Sequence, residues 1–209
     1  LDKRIKIAAL GAVLFFGADL VAATLHAAPP PAGFETKAKC AILLDADADL
    51  VLFEKDADTL APPASMSKLM TLAIVFRELK AGRLKLEDQF KVSEHAWRTG
   101  GAPSGGSAMF APLNTTVSIS DLIQGITVQS GNDATLALAE YVGGTEPTFV
   151  QMMNSFAKQL GLTGTHFTDS AGMPNPEQYI TARDAALLAS AIIREYPDYY
   201  HWYSQKEFT

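Results

Sequence analysis

Pro63-Ala64-Ser65-Met66-Ser67-Lys68-Leu69-Met70-Thr71 is the stretch whose reading decides this chain. Pro62 and Pro63 stand just upstream of Ser65 and helix formers follow it, which predicts a helix from about Met66 to Leu79 with Ser65 at its N-terminus. That helix carries Leu69, Met70, Leu72, Ala73, Ile74, Val75 and Phe76. With no polar face, it belongs in the middle of a protein. Lys68 is the only charge between Ser65 and Arg77. Residues three apart share a helix face, so Lys68 can reach back to the Ser65 hydroxyl. Burial disfavours an ammonium and lowers its pKa, which makes Lys68 a usable general base and Ser65 the nucleophile it activates. The positive end of the helix favours a developing oxyanion. The same residues also suit an N-cap serine followed by a snorkelling lysine. Ser155-Phe156-Ala157-Lys158 repeats the spacing inside an amphipathic helix, away from any helix end, and is read as structural.

A second element decides between these readings. Ser130-Gly131-Asn132 is the only S-x-N in the chain and joins two short predicted helices. By itself it is a turn in which Asn132 or Asp133 caps the next helix. Beside a Ser/Lys pair, its hydroxyl can relay a proton to a leaving amine and its carboxamide can hold a substrate carbonyl. S-x-x-K followed by S-x-N is the signature of the serine penicillin-recognising enzymes.

On these residues the chain resembles the low-molecular-mass penicillin-binding proteins of the D-alanyl-D-alanine carboxypeptidase type. The resemblance rests on residues 63–71 and on Gln129-Ser130-Gly131-Asn132-Asp133-Ala134. It extends through Gly106-Ser107-Ala108-Met109-Phe110, Met153-Asn154, Leu160-Gly161-Leu162 and Thr181-Ala182-Arg183-Asp184. It implies an α/β (α+β) fold of the β-lactamase/penicillin-binding transpeptidase type. The implied catalytic residues are Ser65, Lys68 and Ser130, with Asn132 binding substrate and no metal or other cofactor. The implied reaction removes the terminal D-Ala of peptidoglycan stem pentapeptides through a Ser65 acyl-enzyme, which β-lactams trap. A D-Ala cross-link endopeptidase shares this chemistry. A class A β-lactamase would need a deacylating Glu, and no E-x-x-L-N string supplies it. A non-catalytic wall-binding domain of the same fold has no need of a nucleophile.

One family element does not appear. Neither K-T-G nor K-S-G occurs, and Lys80-Ala81-Gly82 is the nearest string. In the family that element binds the substrate carboxylate, and its strand supplies an oxyanion donor worth about 10²–10³ in rate. The expectation is a partial domain, a hairpin and the helical part without the remaining strands, and a catalytically impaired fragment is an alternative reading. Peripheral membrane attachment, which many relatives gain from a C-terminal amphipathic helix, would come from a region beyond Thr209.

Outward from the motifs, Ala41–Leu44 and Leu50–Phe53 read as a hairpin around Asp45-Ala46-Asp47-Ala48-Asp49. The aspartates start like a calcium loop, but Leu50 and Asp56 stand where Gly and Glu are wanted, so a solvated turn is expected. Further helices are expected over Asp121–Val128, Asp133–Val142, Thr148–Leu160 and Thr181–Glu195, the last opened by Thr181 and Asp184. The Gly/Ser-rich loop from Trp97 to Phe110 reads as mobile linkage. The aromatic run Tyr199, Tyr200, Trp202 and Tyr203 reads as packed.

Lys3, Arg4 and Lys6 ahead of the apolar run Ile7–Val21, with small residues after it, describe a secretory signal. Residues 1–28 are therefore read as signal and processing region, 29–39 as linker and 40–209 as partial catalytic domain, in the periplasm or cell envelope. Of the 209 residues, 48% are hydrophobic and 19% charged, with a net charge of −6. That excludes disorder and argues against nucleic acid. The single cysteine, Cys40, rules out an internal disulfide and reads as a buried thiol. The histidines outside the signal, His95, His166 and His201, are scattered and offer no metal site.

Overall fold

The computed structural model describes residues 35–208. The expected signal and most of the linker lie outside them. β1 (Ala41–Asp45) and β2 (Leu50–Lys55) form the expected antiparallel hairpin, with a bulge between Leu43 and Leu44. Asp45 Oδ1 accepts the N–H groups of Asp47 and Ala48, each at 3.0 Å, which folds the turn. Asp49 pairs instead with Arg194 at 2.7 Å. Alternation along β2 buries Val51 and Phe53 and exposes Leu50 and Leu52.

After a 3₁₀ turn, Ala64–Met66, comes α1 (Ser67–Lys80). Every residue from Met70 to Phe76 is buried, as its apolar circumference requires. α2 (Ile119–Gln129) begins two residues ahead of expectation because Ser118 caps it, its hydroxyl accepting Asp121 N–H at 3.0 Å. α3 (Asn132–Gly143), α4 (Glu146–Gln159) and α5 (Ala182–Glu195) follow, and all three pack against α1. Thr181 caps α5 as its sequence predicts, accepting Asp184 N–H at 3.0 Å. At the start of α5, Arg183 binds Glu54 at 2.6 Å and Asp58 at 2.7 Å, fastening the helix to the hairpin. A second small sheet pairs β3 (Gln89–Lys91) with β4 (Thr116–Ser118).

Two expectations need correction. Cys40 is half-buried rather than buried, since it stands one residue ahead of β1 at the rim of the hairpin. The segment from Trp97 to Phe110 is not loose linkage. It holds a π-helical turn (Ala96–Gly100) and a 3₁₀ turn (Ala102–Ser104). Its far end is fastened by Asp133, whose carboxylate accepts Met109 N–H at 2.9 Å and Ala111 N–H at 3.1 Å. Gly100 is required there: a Cβ would stand 2.5 Å from Asp133 N. Gly100 and Gly101, which looked like flexibility, permit close packing.

Candidate active site

Four segments meet around Ser65. The first is the 3₁₀ turn that carries Ser65 itself, on a backbone set by an unusual neighbour. Ala64 has φ +47, a left-handed conformation that an alanine adopts at a cost. It delivers Ser65, exposed, to the start of α1. One turn on, Lys68 is only 4% exposed, and its Nζ donates to Ser65 Oγ at 3.1 Å.

The second segment is the turn between α2 and α3. Ser130 ends α2 in the left-handed region, at φ +54, and its N–H still reaches Ile126 O at 3.0 Å. That conformation points its hydroxyl back over α1, where Ser130 Oγ donates to Ser65 Oγ at 3.2 Å. Asn132 opens α3 with its backbone N–H bound to Ser107 O at 2.8 Å, so the Gly/Ser segment buttresses it. Asn132 is 8% exposed, and its Nδ2 lies 4.0 Å from Met173 Sδ with no hydrogen bond to Ser65 or Lys68.

The third segment is the connection between α4 and α5. Ala171 O accepts a second hydrogen bond from Lys68 Nζ at 3.0 Å, and Ser170 O accepts one from Thr71 Oγ1 at 2.8 Å. The fourth is the 3₁₀ turn His201–Ser204, which brings Tyr203 to the wall of the cavity that Ser65, Lys68 and Ser130 share with Leu72 and Ile126. Tyr203 also meets Phe76 edge-on at 6.3 Å, and Tyr199 stacks on Phe76 at 5.3 Å. Tyr199, Trp202 and Tyr203 are therefore packed, as expected, Tyr203 also faces the site, and Tyr200 departs from the expectation by lying exposed. Burial pushes the Tyr203 phenol well above the ordinary tyrosine range.

Burial likewise holds Lys68 down from 10.5 to about 8, and the Asp169 carboxylate opposes that shift in part. An amine near 8 releases its proton at little cost near neutral pH. The arrangement can thus form a serine alkoxide and pass protons among Lys68, Ser65 and Ser130, the first and last of which both meet Ser65 Oγ. Sequence reasoning points to Ser65, Lys68, Ser130 and Asn132, of which the structure brings the first three to one cavity and leaves Asn132 outside its lining. It misses Asp169, Ala171 and Tyr203; only Asp169-Ser170, a side chain apt to bind backbone N–H groups just ahead of it, left a trace. The decoy pair Ser155 and Lys158 lies exposed on α4. Among the described residues no cluster of His, Cys, Asp or Glu could hold a metal ion. His95 instead pairs with Glu146 at 3.2 Å.

The family model for D-alanyl-D-alanine carboxypeptidases, Peptidase S11, matches residues 23–209. The chain belongs to that family. Among its relatives, D-alanyl-D-alanine carboxypeptidase DacC of Escherichia coli is 42% identical over 204 residues, covering 97% of this chain and 50% of DacC. DacA of Haemophilus influenzae is 39% identical over 211 residues, covering all of this chain and 52% of DacA. The chain therefore spans about half the length of these curated relatives. The fold is that of the penicillin-binding DD-peptidases. The crystal structure of penicillin binding protein 5 from Haemophilus influenzae matches with a TM-score of 0.81 and 40% identity, over 87% of this chain and 52% of that one. DacD from Francisella tularensis matches at 0.80 and 40%, over 91% and 45%. Among the described residues, no helix of this family member is long and apolar enough to cross a membrane.

Proposed function

We propose that the protein is a serine-type D-alanyl-D-alanine carboxypeptidase of the bacterial cell envelope, acting on peptidoglycan stem peptides and trapped by β-lactams. The observation that carries this reading is the three-way contact of Ser65 Oγ with Lys68 Nζ at 3.1 Å and Ser130 Oγ at 3.2 Å. Neutral Lys68 takes the Ser65 proton as Oγ bonds to the carbonyl carbon of the penultimate D-Ala. The negative charge on the carbonyl oxygen develops at the positive end of α1. Ser130 then donates its proton to the departing D-Ala nitrogen and is refilled from the Lys68 ammonium, so the peptide C–N bond breaks and the acyl-enzyme remains. Water adds to the acyl carbon as neutral Lys68 takes one of its protons, that proton passes to Ser65 Oγ as the C–O ester bond breaks, and the shortened peptide leaves as its carboxylic acid. Asn132, at the head of α3, orients the acyl group's amide.

A β-lactam enters by the same attack, but its expelled nitrogen stays tethered and obstructs the water. A relative in the family's fold, penicillin-binding protein D2 of Listeria monocytogenes, is known in a cefotaxime-bound form and is 27% identical with a TM-score of 0.69. The test is covalent labelling by a fluorescent penicillin, read by intact-mass spectrometry and peptide mapping. One adduct on Ser65 is expected, lost in Ser65→Ala. An adduct that survives in Ser65→Ala overturns the reading.

A further inference from the structure

The segment from Asp169 to Met173 touches the site's residues at three places: Ala171 O accepts from Lys68 Nζ, Gly172 lies against Ala64 O, and Met173 Sδ meets Asn132 Nδ2 at 4.0 Å. Its shape comes from one side chain. Asp169 Oδ1 accepts the N–H groups of Ala171 at 2.8 Å, Gly172 at 2.6 Å and Met173 at 3.1 Å. Asp169 Oδ2 accepts from Gln178 Nε2 at 2.9 Å, and Gln178 is only 3% exposed. Gln178 Oε1 in turn accepts Thr168 N–H at 3.0 Å. Three amides converging on one carboxylate oxygen turn the backbone about it, and charge-assisted bonds of this kind are the strong ones. Outside this knot, Ser170 is anchored by Glu146 Oε1, which accepts its N–H at 3.1 Å and its hydroxyl at 2.8 Å.

We infer that Asp169 is a positioning residue for Lys68: its carboxylate folds residues 169–173 into the loop that offers the Ala171 carbonyl to Lys68 Nζ, and it sets a negative charge near that nitrogen. The inference rests on the reading of Lys68 as general base. A neutral amine has two N–H bonds and one lone pair. With one N–H held by the Ala171 carbonyl, the lone pair is free to face Ser65 Oγ. Lys68 donates to the Ser65 hydroxyl and shares its cavity with Ser130 and Tyr203, and Asp169 is the charged group that acts on it. Its carboxylate favours the protonated form against the burial that disfavours it.

Two variants separate shape from charge. Asp169→Asn keeps an oxygen for the three amides, loses the Gln178 contact and removes the charge. Asp169→Ala removes both. Each is made in the full chain and examined two ways: the rate of Ser65 acylation by fluorescent penicillin across pH, and the titration of the Lys68 ε-carbon by ¹³C NMR, assigned by its loss in Lys68→Arg. For Asp169→Asn the expected result is a plateau rate within about threefold of wild type and a Lys68 midpoint lower by about half a pH unit or more. For folded Asp169→Ala, the plateau rate falls about tenfold or more. If Asp169→Ala does not fold, the Asp169→Asn midpoint decides. An unmoved midpoint in Asp169→Asn, or wild-type acylation by folded Asp169→Ala, overturns the inference. If wild-type Ser65 takes no label, the proposed activity fails while the NMR titration still decides the role of Asp169.

Discussion

Gly172 lies directly beneath Ala64: a Cβ on Gly172 would stand 1.8 Å from Ala64 O. Both residues are in left-handed conformations, Gly172 at φ +87 and Ala64 at φ +47. Two loops far apart in sequence thus meet backbone to backbone at the residue before the nucleophile. The contact forces both partners into uncommon geometry, and only one of them is a glycine.

Gly172→Ala should therefore be costly on two counts, a positive φ and a clash with a carbonyl that cannot move without shifting Ser65. A loss of about 2–3 kcal/mol in chemical denaturation is expected. Acylation by a fluorescent penicillin should slow about tenfold or more, because a small displacement of a nucleophile is expensive. A variant that unfolds and labels like wild type would show that the 172 backbone does not hold Ser65.

Lys68 sets the pH dependence. Its folded-state value of about 8 means that the neutral, base-competent fraction grows through that pH. Ser65 acylation should rise with pH to a plateau, with an apparent midpoint near 8, and Lys68→Arg should abolish the limb along with about 10²–10⁴ of the rate. Stability changes in the same window with a definite sign. Between about 8 and the ordinary lysine value of 10.5 the unfolded chain still binds a proton that the folded chain has released. Stability therefore gains from Lys68 as pH rises across that interval, and below it the cost of burying the ammonium is felt in full. Urea midpoints for wild type and Lys68→Ala at the two ends of the interval isolate this contribution. A difference between them that does not change with pH would contradict the assignment.

Asp133 should matter for folding rather than for chemistry. Its carboxylate, 1% exposed, accepts Met109, Ala111 and Ala134 N–H groups. Asp133→Ala leaves the first two without a partner and unmoors the segment whose Ser107 carbonyl holds Asn132 N–H. A loss of about 2–4 kcal/mol is expected, with hydrogen exchange accelerated at Met109 and Ala111. Unchanged protection at those amides would refute this account.

The elements that local chemistry specifies were legible in the sequence. The apolar run of α1, the Thr181 cap of α5 and the hairpin about Asp45–Asp49 each carry their signal within a few residues. So do Ser65, Lys68, Ser130 and Asn132, because short motifs hold them. What could not be read is where separate segments meet. Asp169 and Ala171 act on Lys68 across about a hundred residues of chain, through one carboxylate and one backbone carbonyl that no periodicity marks. Gly100 misled for the same reason: glycine permits either mobility or close approach, and only the partner, here the backbone of Asn132 and Asp133, decides which.

The decoy motif supplies the sharpest control. Ser155 and Lys158 repeat the Ser65–Lys68 spacing on α4, yet both are exposed and lie toward the C-terminal end of that helix. Spacing alone gives Lys158 no burial to lower its proton affinity, no Ala171-like carbonyl to hold it and no second serine beside Ser155. If catalysis resides in the burial and the convergent loops, Ser155→Ala and Lys158→Ala should each leave the acylation rate and its pH midpoint unchanged. Their effect on stability should stay within about 0.5 kcal/mol, as for other exposed positions. Ser65→Ala should meanwhile abolish labelling with little change in unfolding, because the lost hydroxyl is exposed. A labelling defect in Ser155→Ala comparable with that in Ser65→Ala would mean that spacing, and not environment, makes the nucleophile.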